Sequence, residues 1–568
     1  MPNVDNHEIA RAFDELADLL ELGGDYSFKL RTYRNFAEAV RELDEPIADV
    51  VSRGELQQME GVGPAIEAKV AALLTTGTFD ALQRARAAVP VSLLDLLKLP
   101  GFGAKTVRVV WHGANVTTLE QLVLACERGE LAPLPGVGKK KEARAHRVAQ
   151  EILEGAGTTL LHAALDAKAE VEALLVPSVA REVALSGEAR RGKALSGDVV
   201  VLARGATREQ VLVVLAAAEP ELSLLPPDER DVLVVTREGA RVRVRALEDS
   251  EWLHALVTST GPDAHVRALE ERAGGADALR TAAAGARNEA ALYEALGLPY
   301  VPPELRDRHD VPVPTDLVDH LSGVFHVHTG WSDGKATIVD MARAAAALGF
   351  GFIGISEHSK AAHYANGLDE TRLHSQKAAI AEARALVPEI TFLHGVEVDI
   401  QPDGALDLDD AALAQLDFVI ASVHARLDMP RDEMTRRLVR AVSHPLVTIL
   451  GHPTGRLLRA RRGFSFDLAA VATAAAANDT YLEINGNAHR LDLSDAMARD
   501  AATYGARFVV NPDAHTPDAV GDVFMGLSVA RRAGLSRHQV LNAQVKESLL
   551  RALVARRDAG RERLGLPR

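Results

Sequence analysis

VFHVH occupies residues 324–328. An apolar pair leads into two histidines at i and i+2, which share one face if the stretch is extended. Six more runs of this kind follow: FIGISEH (352–358), TFLHGVEVD (391–399), FVIASVH (418–424), VTILGH (447–452), YLEINGN (481–487) and FVVNPDAH (508–515). Each is apolar first and polar at its end, and Ala-rich helical stretches separate most of them. Seven strand-then-helix units predict a parallel barrel of the β/α type. In such barrels chemistry gathers at the carboxyl ends of the strands, where these polar tips fall.

The tips supply His326, His328, Asp333, His358, Glu397, His424, His452, Asp513 and His515. Asp513 and His515, like the first two histidines, are spaced to share a face. Imidazole with carboxylate suits Zn(II), Mn(II) or Fe(II), and the hard oxygen ligands favour Mn(II) for phosphate work. One ion cannot use so many groups. Two or three ions bridged by Glu397 fit, activating a water and neutralising phosphate oxygens. A single histidine at a strand end is ordinarily a satisfied polar cap, but six histidines and three acids on six of seven tips are not explained that way. The stretches HVHTGWSDG, EHS, GVEVDI, SVHA, GHPTGR and NPDAH resemble the motifs of the PHP (polymerase and histidinol phosphatase) metallophosphoesterases. The resemblance covers about 245 residues and implies a distorted seven-stranded barrel with a trinuclear site. Val324 stands where an Asp often precedes the first His, and Glu357 where an Asp precedes the His of the second motif. Neither removes an expected ligand.

Residues 1–155 read as helices broken by glycine turns. MEGVGPAIEAKV (59–70), LPGFGAKTVRVV (99–110) and LPGVGKKKEARA (134–145) begin 40 and then 35 residues apart, which makes a repeated unit. A Gly-x-Gly turn before a helix leaves backbone N–H groups pointing outward, suited to a phosphate oxygen that reads no base. The alternative is an ordinary helix–helix turn, and three copies with proline or acid just ahead favour DNA. The units resemble helix-hairpin-helix motifs, so Gly61, Gly63, Gly101, Gly103, Gly136 and Gly138, with Lys105, Lys139 and Lys140, are the expected DNA-binding set. SFKLRTYRNFAEAV (27–40) followed by GVGPAIEAKV resembles the small lyase domain of family X DNA polymerases. Lys69 matches its Schiff-base lysine, and Ala65 stands where a neighbouring lysine of the vertebrate pattern would be.

Between 156 and 248 the texture changes to short strands: REVALSG (181–187), DVVVLA (198–203), DVLVVT (231–236) and ARVRVRAL (240–247). SGEARRGKALSGDVVVL resembles the family X palm, and with it the resemblance to a bacterial family X DNA polymerase with a C-terminal PHP domain spans nearly the whole chain. Gly187, Arg190, Arg191 and Gly192 match the nucleotide-binding turn, with Glu188 replacing its serine, and Asp198 matches the first catalytic aspartate. The second falls on Val200 and the third on Arg243, and the sugar-sensing aromatic pair falls on Thr258 and Ser259. Two-metal nucleotidyl transfer needs carboxylates around both ions. Arg243, sharing a face with Arg241 and Arg245, repels Mg(II). Glu248 or Asp249 are the neighbouring acids that would have to substitute.

At 568 residues the chain exceeds one ordinary core. Its 47% hydrophobic content fits a globular protein, with no apolar run of membrane-spanning length and no leader-like pattern in MPNVDNHEIARAF. One cysteine, Cys126, excludes an internal disulfide framework and fits a reducing cytosol. The net charge of −15 argues against nucleic acid, but over 101–150 eight Lys/Arg stand against four Asp/Glu.

The expected fold class is multidomain: an all-α helix-hairpin-helix N-terminal region, an α+β nucleotidyltransferase-like palm and a C-terminal distorted (β/α)7 PHP barrel. The expected boundaries are 1–80 (lyase-like), 81–155 (fingers-like), 156–248 (palm), 249–298 (thumb), 299–322 (a linker, within a stretch of five prolines) and 323–568 (PHP). The expected function is DNA repair in the cytoplasm, associated with the nucleoid. The chain would bind gapped, nicked or primer-template DNA as a monomer, with dNTP as a further ligand, and its barrel would be a Mn-dependent 3′–5′ exonuclease. Mn2+ and/or Zn2+ are the expected ions of the barrel, and Mg2+ or Mn2+ those of a palm that still works. His363, Arg456 and Arg490 are further candidates for phosphate contacts. The competing readings are an active gap-filling polymerase whose PHP domain proofreads, a small-molecule phosphatase of the histidinol-phosphate kind, and a non-catalytic DNA-binding scaffold.

Overall fold

The computed structural model describes residues 6–567, apart from Tyr26, Glu42, Asp44, Glu60, Pro100, Ala156, 219–221, 227–229 and 309–312. Two compact units result, Met1–Ala156 and Gly157–Arg568. The boundaries expected at 80, 248, 298 and 322 fall inside them. No helix among the described residues is long and apolar enough to cross a membrane.

The first unit is helical. In helix Asn6–Leu22, Ile9, Phe13, Leu16 and Leu19 recur at helical spacing and are all buried. Phe13 meets Phe36 of helix Phe28–Arg41 edge-on at 4.7 Å and Phe79 at 5.5 Å. Each such ring is worth about 2–3 kcal/mol of burial, which fixes the frame that presents the glycine turns.

The second unit opens on a five-stranded sheet. Its order is Glu182–Ser186, Val199–Arg204, Arg241–Leu247, Val232–Thr236, Leu222–Leu224. Only the second and third strands are parallel. Along Arg241–Leu247, Val242 and Val244 point into the core and Arg241, Arg243 and Arg245 to the other face. Helices from Asp249–Thr260 to Glu289–Ala295 follow around Val257, Leu279, Leu292 and Tyr293.

The proline-rich stretch behaves differently from a free spacer. Arg306 is fully buried and pairs with Glu289 at 2.9 Å, Glu304 with Arg531 at 2.7 Å, and Asp307 with both Arg191 and Arg532 at 3.0 Å. Charged residues between the prolines thus hold this stretch between sheet and barrel; the rest of it, 309–312, lies outside the described residues.

The barrel is all parallel. Its strands are Gly323–Val324, Phe352–Ile355, Thr391–His394 with Glu397–Asp399, Ile420–Ser422, Ile449–Leu450, Tyr481–Asn485 and Arg507–Asn511. They form sheets of three and five strands, joined by parallel bridges between His358 and Glu397 and between Val327 and Ala514. TFLHGVEVD, expected as one strand, breaks at Gly395–Val396. Its first half pairs with Phe352–Ile355 and its second with Ile420–Ser422. Phe418 fills the space beside the break: a Cβ at Gly354 would lie 2.6 Å from its ring, and one at Gly395 closer still.

Candidate metal centre and DNA-binding turns

All nine expected ligands meet at the carboxyl-terminal mouth of the barrel. Three groups have their ligand atoms within 4.8 Å of one another: His328, Asp333, His358 and His515; His326, His328 and Asp513; His358, Glu397 and His424. The first two share His328, and the first and third share His358. His452 joins through Glu397, 2.9 Å from its Nε2. Glu397 is the hub, reaching His358 at 2.8 Å, His424 at 3.3 Å and His326 at 3.4 Å. Asp513 and His452 sit in left-handed backbone, at φ 54° and 23°, strain that collects at functional sites.

The fit to metal rests on unmet polarity. His326, His328 and Glu397 are wholly buried, yet His326 Nε2, both ring nitrogens of His328 and Glu397 Oε2 lack hydrogen-bond geometry to any partner. Buried polar atoms are otherwise nearly always satisfied. Burial disfavours charge here, but it is overruled where unlike charges crowd. Glu397 is held well below the carboxylate range by His424, His326 and His358, and Asp513 by His326, His328 and Arg490. Glu397 and Asp399 lift His424 to about 10. His328, buried beside His358 and His515, drops to about 3. A buried His/Asp/Glu cluster of this kind suggests a metal site.

Two acids escaped the reading of the sequence. Glu483, in the middle of Tyr481–Asn485, is completely buried. Its carboxylate pairs with His326 Nδ1 at 2.8 Å and accepts from the His452 backbone N–H at 2.6 Å and the side-chain amides of Asn485 and Asn511 at 3.1 and 3.0 Å. Asp399 lies 3.4 Å from His424 Nδ1. Such carboxylates orient ligating imidazoles. The available signal was parity: Asp399 follows Glu397, and Asn485 follows Glu483, by two residues on one strand. Glu357 pairs with no ligand; it accepts from Thr329 N at 3.1 Å and Gln376 Nε2 at 3.1 Å and steadies the loop that carries Asp333.

Among the weaker candidates, Arg490 lies at the cluster, 3.4 Å from Asp513. His363 is exposed nearby in the short helix His363–Ala365. Arg456, taken as a phosphate contact, is instead turned to the backbone of its own domain. It donates to the carbonyls of Arg490, at 2.8 Å from Nε, and of Leu491, so it braces the Arg490 loop.

In the palm, Asp198 stands one residue ahead of its strand and accepts from Arg243 at 2.8 Å, with Arg241 at 3.3 Å. Val200 is paired in register with Arg243. Buried Asp231 takes Arg245 at 2.7 Å. Asp249, a possible substitute acid, is engaged with Arg181 at 2.6 Å and Arg204 at 2.8 Å. The guanidinium groups of the expected nucleotide-binding turn are also occupied. Arg190 holds Glu289 at 2.7 Å and Thr260 Oγ1 at 2.8 Å; Arg191 holds the Thr260 carbonyl at 2.6 Å and Asp307 at 3.0 Å. Gly187 and Gly192 have φ of 64° and 71°, and a Cβ on Gly192 would touch Ser528 of helix Val523–Ala533 at 3.0 Å. Thr258 and Ser259 bond back to their own helix at His254 and Ala255.

In the first unit, Gly61, Gly101, Gly136 and Gly138 have φ between 65° and 82°, which only glycine adopts freely. Gly63 and Gly103, the N-caps of helices Pro64–Thr76 and Ala104–Ala114, have φ of −113° and −75°. Any residue could adopt those angles, and a Cβ on either would meet nothing within 4 Å. The fold therefore makes no demand for glycine at these two caps. Neither cap has a side chain that could accept from the first N–H groups of its helix. Lys105, Lys139 and Lys140 are exposed beside the turns. Lys69 lies on helix Pro64–Thr76, donates to the Ala65 carbonyl at 2.9 Å and sits 5.4 Å from the Tyr33 ring centre. Partial burial, with Lys29 and Arg84 nearby, holds its ammonium below the ordinary lysine range.

Comparison with known proteins finds similarity over most of the chain. Family models match a helix-hairpin-helix domain at residues 4–79, a SAM-like helix-hairpin-helix tandem at 53–110 and 93–151, and a PHP domain at 325–487. The DNA polymerase/3′-5′ exonuclease PolX of Bacillus subtilis is 29% identical over 561 residues, 94% of this chain and 97% of that protein. A probable phosphatase of Thermoanaerobacter is 31% identical over 28% of this chain and 65% of its own, and one of Acetivibrio thermocellus 26% identical over 39% and 91%. With helix-hairpin-helix elements, a central α/β region and a PHP domain in that order, the chain is similar over nearly its whole length to a bacterial family X DNA polymerase with a C-terminal PHP domain.

Proposed function

We propose that this chain holds gapped or nicked DNA by its glycine turns, trims 3′ ends in the barrel as a Mn-dependent 3′–5′ exonuclease, and polymerises weakly or not at all. One observation carries the reading: three overlapping ligand groups share His328 and His358 in the barrel, while the palm aspartate is neutralised by arginines. The relative from Bacillus subtilis, named for both activities, supports a nuclease role for the barrel.

His326, His328, Asp333, His358, Glu397, His424, His452, Asp513 and His515 would hold two to three divalent ions, which when bound supply Lewis-acid activation of water and neutralise phosphate charge. The chain's own part is preorganisation. Glu397 keeps the groups at fixed spacing. Glu483 takes the Nδ1 proton of His326 as a hydrogen bond and so turns the Nε2 lone pair toward the cluster. Asp333 and His515, each a third exposed, form the rim by which substrate enters, and Arg490 beside Asp513 is the cation placed to take a phosphate oxygen. Asp333, Glu397 and Asp513 are the hard oxygen ligands that suit Mn2+ for phosphate work, while the six imidazoles suit Zn2+ as well.

In the palm, Asp198 alone cannot hold two ions about 3.5–4 Å apart, and Arg243 fills the space beside it. Repair of cytosolic DNA ends follows from this pairing of DNA grip with end trimming. The domain boundaries given above, a monomeric state and nucleoid association belong to the same reading.

The test is a labelled primer in a one-nucleotide gap, with Mn2+, with and without dNTPs. Shortening without extension, lost in His326→Ala, is expected. dNTP-dependent lengthening that vanishes in Asp198→Ala would overturn the palm reading, and unchanged shortening in His326→Ala the barrel reading.

A further inference from the structure

Tyr364 is 75% exposed, and its ring centre lies 6.3 Å from that of His358, a member of two ligand groups. Single exposed apolar side chains are common, but this one is held in place. Its loop is pinned at the start by Ala361 N–H donating to Asp407 at 2.8 Å, and at the end by Leu368 N–H donating to the His358 carbonyl at 2.7 Å. Arg372 Nη1 ties it further, donating to the carbonyls of Asn366 at 2.6 Å and Gly367 at 3.2 Å. Gly367 leaves no room for a side chain against Ser359. The tethers fix the loop backbone, which keeps the exposed ring beside His358.

We propose that Tyr364 is the stacking platform for the base of the 3′-terminal nucleotide, with Arg490 beside the cluster facing the phosphate. The site then selects a nucleotide phosphodiester whose last base has left the duplex stack, so frayed and mispaired ends are its preferred substrates. This rests on the reading of the barrel as a 3′-end nuclease.

The experiment uses the full chain with Mn2+ and two single-stranded oligonucleotides, one ending in 2-aminopurine and one in an abasic analogue. The wild type should release the base-bearing terminal nucleotide with a kcat/KM on the order of ten-fold above the abasic one, about the value of one base–aromatic stack. Tyr364→Ala should bring that ratio near one, chiefly through KM, and Tyr364→Phe should keep it. Binding without turnover, in Ca2+, should quench 2-aminopurine fluorescence in the wild type and in Tyr364→Phe but not in Tyr364→Ala. A proportional loss on both substrates in Tyr364→Ala, or quenching that survives it, overturns the platform. If the wild type releases nothing from either oligonucleotide the nuclease reading fails, and the quenching result still decides the stacking.

Discussion

At the scale of single residues, the geometry of the candidate metal centre depends on carboxylates outside the nine expected ligands. Glu483 receives hydrogen bonds from His452, Asn485 and Asn511 as well as pairing with His326. Glu483→Gln keeps its volume but turns one acceptor oxygen into a donor, so the His326 ring loses its orientation. Affinity for Mn2+, measured by titration calorimetry, should fall roughly 10–100-fold, with the fold intact by circular dichroism; unchanged affinity would reduce Glu483 to core packing. Lys69 gives a second prediction. Because its ammonium lies below the ordinary lysine range, a larger share is neutral amine at pH 8 than for a solvated lysine. Borohydride trapping on abasic DNA should rise with pH through that lowered value and vanish in Lys69→Ala; trapping that persists in the variant assigns the adduct elsewhere.

At the scale of elements, the glycine turns separate two reasons for glycine. Gly101→Ala puts a side chain at φ 82° and should cost about 1–2 kcal/mol in urea unfolding. Gly103→Ala, at φ −75° with open space ahead, should leave stability within about 0.5 kcal/mol. It should still weaken DNA binding, because the new methyl group stands where a phosphate would approach the helix end. Equal DNA affinity in Gly103→Ala would show that this turn does not meet the backbone of DNA. Much of this scale was legible: apolar runs with polar tips give a period that only strands ending at a barrel mouth satisfy, and the nine tip residues are those the structure gathers. Glu483 left only its two-residue spacing to Asn485, because a lone acid inside an apolar run looks the same whether it faces solvent or a buried imidazole. The break at Gly395–Val396 was hidden too, since the Phe418 ring that packs beside it comes from a separate run more than twenty residues later.

At the scale of the whole molecule, the seam between palm and barrel is a buried charge network. Arg532 donates to the Arg191 carbonyl at 2.8 Å and pairs with Asp307 at 3.0 Å and Asp495 at 3.2 Å. Arg532→Ala leaves Asp307 with Arg191 alone and takes the guanidinium from Asp495, and should cost about 2 kcal/mol by chemical denaturation. Arg431→Ala, which breaks an exposed pair with Asp467, should cost less than about 1 kcal/mol; similar losses from both would place Arg532 among ordinary surface pairs. The proline-rich stretch misled for the same reason. Its charges look solvated in sequence because their partners lie far away, Asp307 against Arg191 on one side and Arg532 on the other.

Arg191 and Arg532 are 341 residues apart. A ribosome delivers the palm turn long before the barrel helix that closes over it, so a nascent chain passes through a stage in which Arg191 and Asp307 have met and their third partner has not yet been made. Until the helix that carries Arg532 has been made, the middle of this protein is unfinished, and a chain cut short before it would expose that gap to proteases at the palm rather than at the break.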